Sequence, residues 1–240
     1  MSTRILIVGY GRMGQLVERL APDLDCEVAG VLDIDRNADG EGLRDGAWRD
    51  VDVAIDFTTP EAVTHNLLRY AALRINAVVG TTGWNAERDA LREAAAQAGI
   101  GVVAAPNFSP GAVMFEAIAA NAAVLVNAHA DFGAWIHEVH HDRKLDAPSG
   151  TALGIKGAMD AAGYGRKIDV SSSRAGHVPG IHTVGFDGPS ETITLTHSVR
   201  DRGTFARGAL LAARWVSGRR GWFSMRDVLG LGTADRAVAP

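Results

Sequence analysis

Apolar residues in the first hundred positions form short runs that are separated by glycine or by longer amphipathic stretches. Five such runs lie at residues 4–8, 27–32, 51–57, 77–80 and 101–105. Runs of this length are typical of strands that are buried on both faces of a parallel sheet. Helical patterns follow three of them, before Pro22 and over 61–73 and 86–98. This alternation predicts an α/β fold built on a Rossmann-type parallel sheet.

The alternation stops after residue 107, and a different pattern begins. A helical stretch covers about 112–126, residues 130–137 alternate imperfectly, and a second helix spans 151–162. Two further segments, 168–174 and 191–197, alternate with the period of two that is expected of a strand. A helix over 209–217 then returns the chain. We therefore predict a first domain of residues 1–107 and 214–240, with an inserted α+β domain of mixed sheet and helices at 108–213.

Composition narrows the functional classes. Of 240 residues, 47% are hydrophobic and 22% are charged, and the net charge of −4 argues against a nucleic-acid partner. The single cysteine, Cys26, cannot form an internal disulfide, which suits a core position in a reducing cytosol. The N-terminus has no signal-peptide pattern, and no apolar run reaches the roughly 18–20 residues needed to cross a membrane. We expect a cytoplasmic enzyme without a membrane partner.

The first predicted strand runs into the glycine loop Gly9-Tyr10-Gly11-Arg12-Met13-Gly14, and a helix follows. A G-x-G-x-x-G loop between strand and helix is typical of dinucleotide-binding domains. Asp33 ends the second strand roughly 20 residues further on, where a carboxylate accepts from a ribose 2′-hydroxyl. Ile34 offers no charge to a 2′-phosphate, whereas Arg36 is near enough to do so. The predicted cofactor is NADH or NADPH, with a preference for NADH; an ordinary glycine turn and a strand-capping aspartate are the alternative.

Reactive side chains are concentrated between His137 and Thr151. This segment holds three of the eight histidines, Lys144, and a Ser-Gly-Thr turn that opens a helix. One interpretation is the zinc-protease pattern H-E-x-x-H at 137–141, which requires a helix to place both histidines around a metal. The alternation before it and Pro148 after it favour a strand, and Arg143 and Lys144 would repel a cation.

A second hypothesis is a metal-free site for a small dicarboxylate. Lys144 supplies a positive charge, Gly150 allows a close approach, and Thr151 stands in the first turn of a helix, where anions are stabilised. An imidazole side chain exchanges protons near neutral pH, so His140 or His141 can act as a proton donor. A solvated histidine-rich loop is the remaining alternative. We interpret other polar residues of the second domain as strand-face, interface or supporting groups rather than as ligands: Arg174, His177, His182 and His197.

Residues 138–152 resemble the signature E-x-H-H-x-x-K-x-D-x-P-S-G-T-A of the 4-hydroxy-tetrahydrodipicolinate reductase (dihydrodipicolinate reductase) family. Other blocks resemble the same family in chain order, at 9–14, 80–83, 106–111, 174–184, 202–209 and 225–231. The family signature usually begins with a glutamate three positions before Glu138, where this chain has Trp135. This departure puts a supporting carboxylate in doubt.

The resemblance implies NAD(P)H-dependent reduction of 4-hydroxy-tetrahydrodipicolinate to tetrahydrodipicolinate in lysine and diaminopimelate synthesis. It implies that His140 donates the proton with help from Lys144, and that His141, Lys144, Gly150 and Thr151 bind the substrate. The residues that it assigns to the cofactor are Gly9, Gly11, Arg12, Met13, Gly14, Asp33, Phe57, Gly80, Thr81, Thr82, Ala105, Asn107, Phe108 and Arg202. It also implies a homotetramer assembled through the inserted sheet. Another reductase on the same scaffold and a non-catalytic regulatory module that binds a dinucleotide stay open as alternatives.

Overall fold

The computed structural model describes residues 2–44 and 46–232. The chain forms two compact units. The first unit comprises the chain up to Pro110 together with Gly203–Gly230, and the second unit contains Gly111–Arg202. The sequence placed the two boundaries at 107/108 and 213/214, and the predicted stretch 233–240 lies outside the described residues.

The first unit is built on six parallel strands in the order β10-β5-β4-β3-β1-β2. Their bounds are β1 Thr3–Val8, β2 Cys26–Leu32, β3 Val53–Asp56, β4 Asn76–Val79, β5 Gly101–Ala104 and β10 Gly221–Phe223. All five predicted strands are present, and the Rossmann-type prediction is confirmed. The sixth, β10, has only three residues, which is too short for a periodic pattern to be visible. Cys26 opens β2 and is buried, as predicted.

Helices cover both faces of this sheet, which explains why its strands read as unbroken apolar runs. They are α1 (Arg12–Leu20), α2 (Pro60–Leu73), α3 (Arg88–Ala98), α6 (Gly203–Val216) and α7 (Met225–Val228). Side chains of α2 and α3 share one core cluster with alternate residues of β1 and β3. Helix α6 packs against α1 and the central strands. Because α6 is one continuous helix with Ala206, Ala209 and Leu210 fully buried, the second boundary falls at its start rather than at 213/214.

The second unit contains a four-stranded mixed sheet in the order β7-β6-β8-β9, in which β6 and β7 are parallel and the other pairs are antiparallel. The strands are β6 (Gly133–His140), β7 (Ile168–Arg174), β8 (Ile181–Asp187) and β9 (Thr192–Ser198), and the helices are α4 (Pro110–Asn127) and α5 (Gly150–Ala161). One face of the sheet packs against the helices through a core that includes Phe115, Ile136, Ile155 and Phe186. The predicted mixed sheet is confirmed, although β8 was not among the predicted strands.

Helix α4 corrects one expectation. Among the described residues it is the one helix long and apolar enough to match a membrane span, with a mean hydropathy of 1.3 over 18 residues. No apolar run of this length was expected, because Glu116 and Asn121 interrupt the apolar residues of this stretch. Phe115, Ala119 and Ala123 of α4 belong to the core of the second unit. One helix of this kind is weak evidence for a membrane span.

Candidate active site

Each of the three glycines in the loop after β1 has a different structural environment. Gly9 has a φ of +85°, and a Cβ there would lie 2.5 Å from the carbonyl oxygen of Phe57. A Cβ on Gly14 would lie 2.2 Å from the carbonyl oxygen of Gly9, so α1 packs closely on the loop. A Cβ on Gly11 would meet nothing within 4 Å. Gly11 is also the N-cap of α1, which leaves open space at a helix N-terminus. This arrangement fits a pyrophosphate.

A cavity of about 290 Å³ opens beside this loop, at the carboxyl ends of the strands. It is lined by Gly9, Gly11, Asp33, Ile34, Asn37, Phe57 and neighbouring residues. Asp33 Oδ1 accepts a hydrogen bond from the backbone N–H of Tyr10 at 3.2 Å, so the carboxylate is tied to the glycine loop. Ile34 is 78% exposed. The cavity therefore combines an acceptor and an apolar wall, as an adenosine moiety requires.

Six more of the predicted cofactor residues lie near the ends of β3, β4 and β5. Thr81, Thr82 and Ala105 line a second cavity, where Trp84 Nε1 donates to the carbonyl oxygen of Thr81 at 2.7 Å. Gly80 is required by the ring of Phe57, since a Cβ would lie 2.0 Å from it. Phe57 also makes an edge contact with the buried Phe108, with ring centroids 6.1 Å apart.

The last four predicted cofactor residues do not line either cavity. Three of them belong to the first unit and the fourth to the second unit. Asn107 Oδ1 accepts from the backbone N–H of Ser109 at 2.8 Å and so stabilises the turn before α4. Arg12 is exposed and Met13 half-buried in the first turn of α1. Arg202 is exposed and belongs to the second unit.

In the second unit, the candidate chemistry is centred on a buried carboxylate. Glu138 and His140 alternate along β6, so both side chains point to the covered face of the sheet. Glu138 has no exposed surface, and its Oε2 contacts Nδ1 of His140. Its Oε1 accepts from Arg174 Nη2 at 2.8 Å and from the backbone N–H of Ser149 at 3.2 Å. The carboxylate therefore holds an imidazole, a guanidinium and the start of α5 together.

These contacts determine the pKa values of the cluster. Burial opposes ionisation of Glu138, but hydrogen bonds from Ser172 and Arg174 and the charges of His140 and Arg174 lower its pKa to about 2. Burial lowers the pKa of His140, and the Glu138 carboxylate opposes this shift without cancelling it. Burial and then the charge of His140 lower the pKa of His182 to about 4. An ionised Glu138 beside His140 favours the imidazolium, which is the form that can donate a proton.

Arg174 connects this carboxylate to the loop that carries Lys144. Its Nη2 donates to Glu138, its Nε donates to the carbonyl oxygen of Lys144 at 3.3 Å, and Nη2 also donates to the carbonyl oxygen of Asp146 at 2.5 Å. The guanidinium fork therefore determines the path of the loop after His140. The Lys144 ammonium donates to both carboxylate oxygens of Asp146, at 2.7 and 2.9 Å.

The start of α5 completes this group. Ser149 caps the helix, because its Oγ accepts from the backbone N–H of Ala152 at 3.2 Å, and it also hydrogen-bonds Nε2 of His182 at 3.2 Å. A Cβ on Gly150 would meet nothing within 4 Å, so this glycine faces open space. Thr151 follows in the first helical turn. One continuous segment, from the last residue of β6 to the first turn of α5, thus carries His140, His141, Lys144, Gly150 and Thr151.

The geometry argues against a zinc-protease site. His137 and Glu138 lie on β6 and point to opposite faces, and His137 Nδ1 is 2.9 Å from Ser171 Oγ. The predicted strand through this segment is confirmed. Ligand atoms of Glu138, His140 and His182 do lie within 4.8 Å of one another. However, Arg174 shares the Glu138 carboxylate, and its positive charge is unfavourable beside a dication.

Both units of the chain match models of one protein family. Residues 3–108 match the family model described as "Dihydrodipicolinate reductase, N-terminus", and residues 111–229 match "Dihydrodipicolinate reductase, C-terminus". The chain belongs to the dihydrodipicolinate reductase family. Two curated relatives named 4-hydroxy-tetrahydrodipicolinate reductase, from Thiobacillus denitrificans and Christiangramia forsetii, are 38% and 33% identical. The alignments cover 96% and 94% of this chain and 100% and 97% of those proteins.

A solved structure has the same architecture. The dipicolinate-bound dihydrodipicolinate reductase from Paenisporosarcina sp. TG-14 superposes with a TM-score of 0.78 at 25% identity, over 93% of this chain and 98% of that one. A gentamicin-biosynthesis protein, GenD2, in complex with NAD gives a TM-score of 0.57 at 14% identity, which shows the shared fold alone.

Within the dihydrodipicolinate reductase family, Trp135 is a departure whose position the structure explains. Trp135 pairs with Gly185 of β8 on the face of the sheet opposite to Glu138 and His140. Its indole lies over that glycine, where a Cβ would be 2.1 Å away. Residue 135 therefore points away from Glu138 and His140, so a supporting carboxylate at this position would act on the opposite face of the sheet.

The sequence did not predict how the supporting residues of this candidate site contact one another. Glu138 was given no role beside His140, although a spacing of two on a strand places both side chains on one face. Arg174 and His182 were interpreted as general supporting or strand-face groups. Their proximity to Glu138 depends on strand pairing across 36 and 44 residues of sequence, which no local pattern reveals. His197 stacks on Phe115, at 5.8 Å between ring centroids, and His177 is exposed.

Proposed function

We propose that the protein is an NAD(P)H-dependent 4-hydroxy-tetrahydrodipicolinate reductase that acts in lysine and diaminopimelate synthesis. One observation carries this most directly: His140, paired with a buried carboxylate, precedes a loop that presents Lys144 and the N-terminus of α5. The first unit, with its glycine loop, would bind the dinucleotide. The second unit would bind the substrate.

The reaction requires a hydride, a proton and the loss of water. The 4-hydroxyl and one ring proton leave as water, which creates a double bond at C4. A hydride added at C4 displaces the electron pair of this double bond onto the ring. A proton added to the adjacent carbon then completes tetrahydrodipicolinate. The dinucleotide supplies the hydride when it is bound, and the protein must supply the proton.

His140 is proposed as the proton donor, because the Glu138 carboxylate favours its imidazolium form. Lys144 would bind a substrate carboxylate and stabilise the anion that forms when the hydride arrives. His141, Gly150 and Thr151 would hold the carboxylates at the N-terminus of α5, where the helix dipole favours negative charge. Asp146 pairs with Lys144, so an incoming carboxylate would compete with it for the ammonium.

NADH is the proposed preferred cofactor. Asp33 would accept from the ribose 2′-hydroxyl and would repel a 2′-phosphate, while Ile34 in the cavity wall offers no compensating charge. Arg36 is exposed and near enough in sequence to allow some use of NADPH.

We also propose a cytoplasmic homotetramer assembled through the open face of the second sheet. That face carries Trp135, His137 and Thr183, and Thr183 Oγ1 lies 3.0 Å from Thr196 Oγ1 on the next strand. An indole lying across a glycine gives this face an apolar centre, which suits burial against another copy. Sedimentation analysis of the purified chain tests the assembly.

The deciding experiment follows NADH and NADPH oxidation with substrate generated in situ from pyruvate and aspartate semialdehyde by the preceding synthase. Turnover that depends on both condensation partners supports the reductase proposal. The ratio of the kcat/KM values for the two dinucleotides tests the preference assigned to Asp33. Tight dinucleotide binding without turnover would refute this substrate assignment.

A further inference from the structure

A second buried carboxylate lies in the first unit, and the proposed reaction does not use it. Asp56 is the last residue of β3 and has no exposed surface. Its Oδ1 accepts from the backbone N–H and the hydroxyl of Thr58 at 3.1 and 2.6 Å. Its Oδ2 accepts from Asn66 Nδ2 at 2.9 Å and from the Tyr70 hydroxyl at 2.8 Å. Four donors, all uncharged, converge on this carboxylate.

This carboxylate determines how the side-chain amides of Asn66 and Asn37 are oriented. The Asp56 oxygens accept from the backbone N–H and hydroxyl of Thr58 and from the Tyr70 hydroxyl, so Asn66 turns its NH₂ group toward these acceptors. The carbonyl oxygen of Asn66 is then left to accept from Asn37 Nδ2, at 3.0 Å. Asn37 has therefore used its donor group, and its Oδ1 remains as an acceptor. The hydrogen-bond network, rather than the shape of either amide, determines this orientation.

The Asn37 acceptor is unsatisfied. Asn37 is 8% exposed, and its Oδ1 is buried without a hydrogen-bond partner among residues 2–44 and 46–232. A buried acceptor without a donor is unfavourable and rare in native structures. Asn37 also lines the cavity beside the glycine loop, together with Asp33 and Ile34. Oδ1 itself has almost no accessible surface, so a donor on a ligand in this cavity would satisfy it after a small rotation of the Asn37 side chain.

The adenosine moiety of a dinucleotide offers two kinds of donor. Its ribose hydroxyls match the Asp33 carboxylate, which stands at the end of β2. The remaining donor is the exocyclic 6-amino group of the base. We propose that Asn37, oriented by Asp56 through Asn66, accepts a hydrogen bond from the 6-amino group of adenine and so determines base specificity. This inference rests on the proposed function only in that the first unit binds a dinucleotide.

The test replaces the amino group of the ligand. Reduced nicotinamide hypoxanthine dinucleotide carries a carbonyl oxygen in place of the 6-amino group. This oxygen would face Asn37 Oδ1, and two hydrogen-bond acceptors would then repel each other. For the wild-type protein we expect its KM to be about 10-fold or more above that of NADH, because a buried polar group left unpaired discriminates strongly. The expected kcat is unchanged, since the nicotinamide end is identical.

Variants separate Asn37 from general effects on the cavity. Asn37→Leu removes the amide at similar size, and Asn37→Ser is a smaller alternative should the leucine variant fail to fold. Both should raise KM for NADH and bring the two dinucleotides to within about 2-fold of each other. Asn121→Leu, at an exposed asparagine of the second unit that donates to the carbonyl oxygen of Ala117 in its own helix, is the matched control and should keep the wild-type preference.

Two results would overturn the proposal: equal KM values for the two dinucleotides in the wild type, or an unchanged preference in a folded Asn37 variant. Equilibrium binding of both dinucleotides, followed by their fluorescence, gives the same comparison without substrate. An inactive protein that still binds NADH more tightly than the hypoxanthine analogue would contradict the proposed reaction and support the role of Asn37.

Discussion

Glu138→Gln is the most informative perturbation of the candidate active site. The substitution keeps the size and shape of the side chain but removes the charge that pairs with His140 and Arg174. Glutamine also presents an NH₂ group where two donors now converge. The change therefore tests whether the carboxylate organises the site through charge rather than through packing.

The loss of stability follows from the pKa of the carboxyl. Glu138 has a pKa of about 2 in the folded protein against an ordinary value of 4.5, and this difference corresponds to about 3 kcal/mol in favour of the ionised form. Breaking one side of a buried ion pair costs about 3–5 kcal/mol. We expect the free energy of unfolding of the second unit to fall by about 3 kcal/mol, as measured by urea denaturation.

The effect on catalysis has a defined sign. As the proposed donor, His140 must carry its proton, so activity should be lost as pH rises through its pKa. Glu138 raises that pKa, whereas burial, Lys144 and Arg174 lower it, and His182 faces the same ring. Without the carboxylate the pKa of His140 falls further, and the loss of activity begins at lower pH. We expect kcat near neutrality to fall about 10- to 100-fold, a part of the roughly 10²- to 10⁴-fold that a general acid contributes.

The assay is the coupled turnover measurement, repeated across pH for wild type and variant. Glu191→Gln, at an exposed glutamate of the second unit, is the matched control and should retain both kcat and the pH profile. KM for NADH should be unchanged in both. A folded Glu138→Gln protein with wild-type kcat and an unshifted pH profile would refute the role assigned to this carboxylate.

Three further outcomes are expected. Arg174→Lys removes the guanidinium fork that holds the carbonyl oxygens of Lys144 and Asp146, so steady-state kinetics should show a raised substrate KM and a lowered kcat. His182 has a folded pKa of about 4 against 6.5; stability is therefore full above pH 6.5 and declines by up to about 3 kcal/mol as pH falls toward 4, and urea titrations of His182→Gln should lack this decline. Burial raises the pKa of the Cys26 thiol to about 11, so mass spectrometry should detect no alkylation at pH 8 until the protein is unfolded.

The features that the sequence predicted correctly depend on neighbouring residues. The strands of the first sheet are recognisable as apolar runs because both faces of the sheet are covered. The spacing of the glycine loop is recognisable because each of its glycines has a different structural constraint. The strand through His137–His140 follows from alternation alone. In each case the sequence signal lies within about ten positions along the chain, although the Phe57 carbonyl that Gly9 approaches does not.

The features that the sequence did not predict depend on contacts between distant segments. Arg174 reaches Glu138 only because β7 lies parallel to β6, and Asn37 reaches Asn66 only because the loop after β2 lies against α2. The effect of Trp135 stayed open for the same reason, because it depends on which face of the sheet the side chain occupies. The domain boundary at α6 was missed because its buried alanines show their role only when packed on the sheet.

The two buried carboxylates show how partner chemistry determines what a fold can do with a charge. Both lie at or near the carboxyl end of a strand, and burial opposes ionisation in each. Glu138 has a guanidinium and an imidazole as partners, and its pKa falls; Asp56 has only neutral donors, and its pKa is raised. A carboxylate paired with cations can stabilise a protonated histidine, which suits proton transfer. A carboxylate surrounded by hydroxyls and amides can instead orient those groups, which suits recognition. In the roles proposed here, the same residue class would serve reactivity in one unit and specificity in the other.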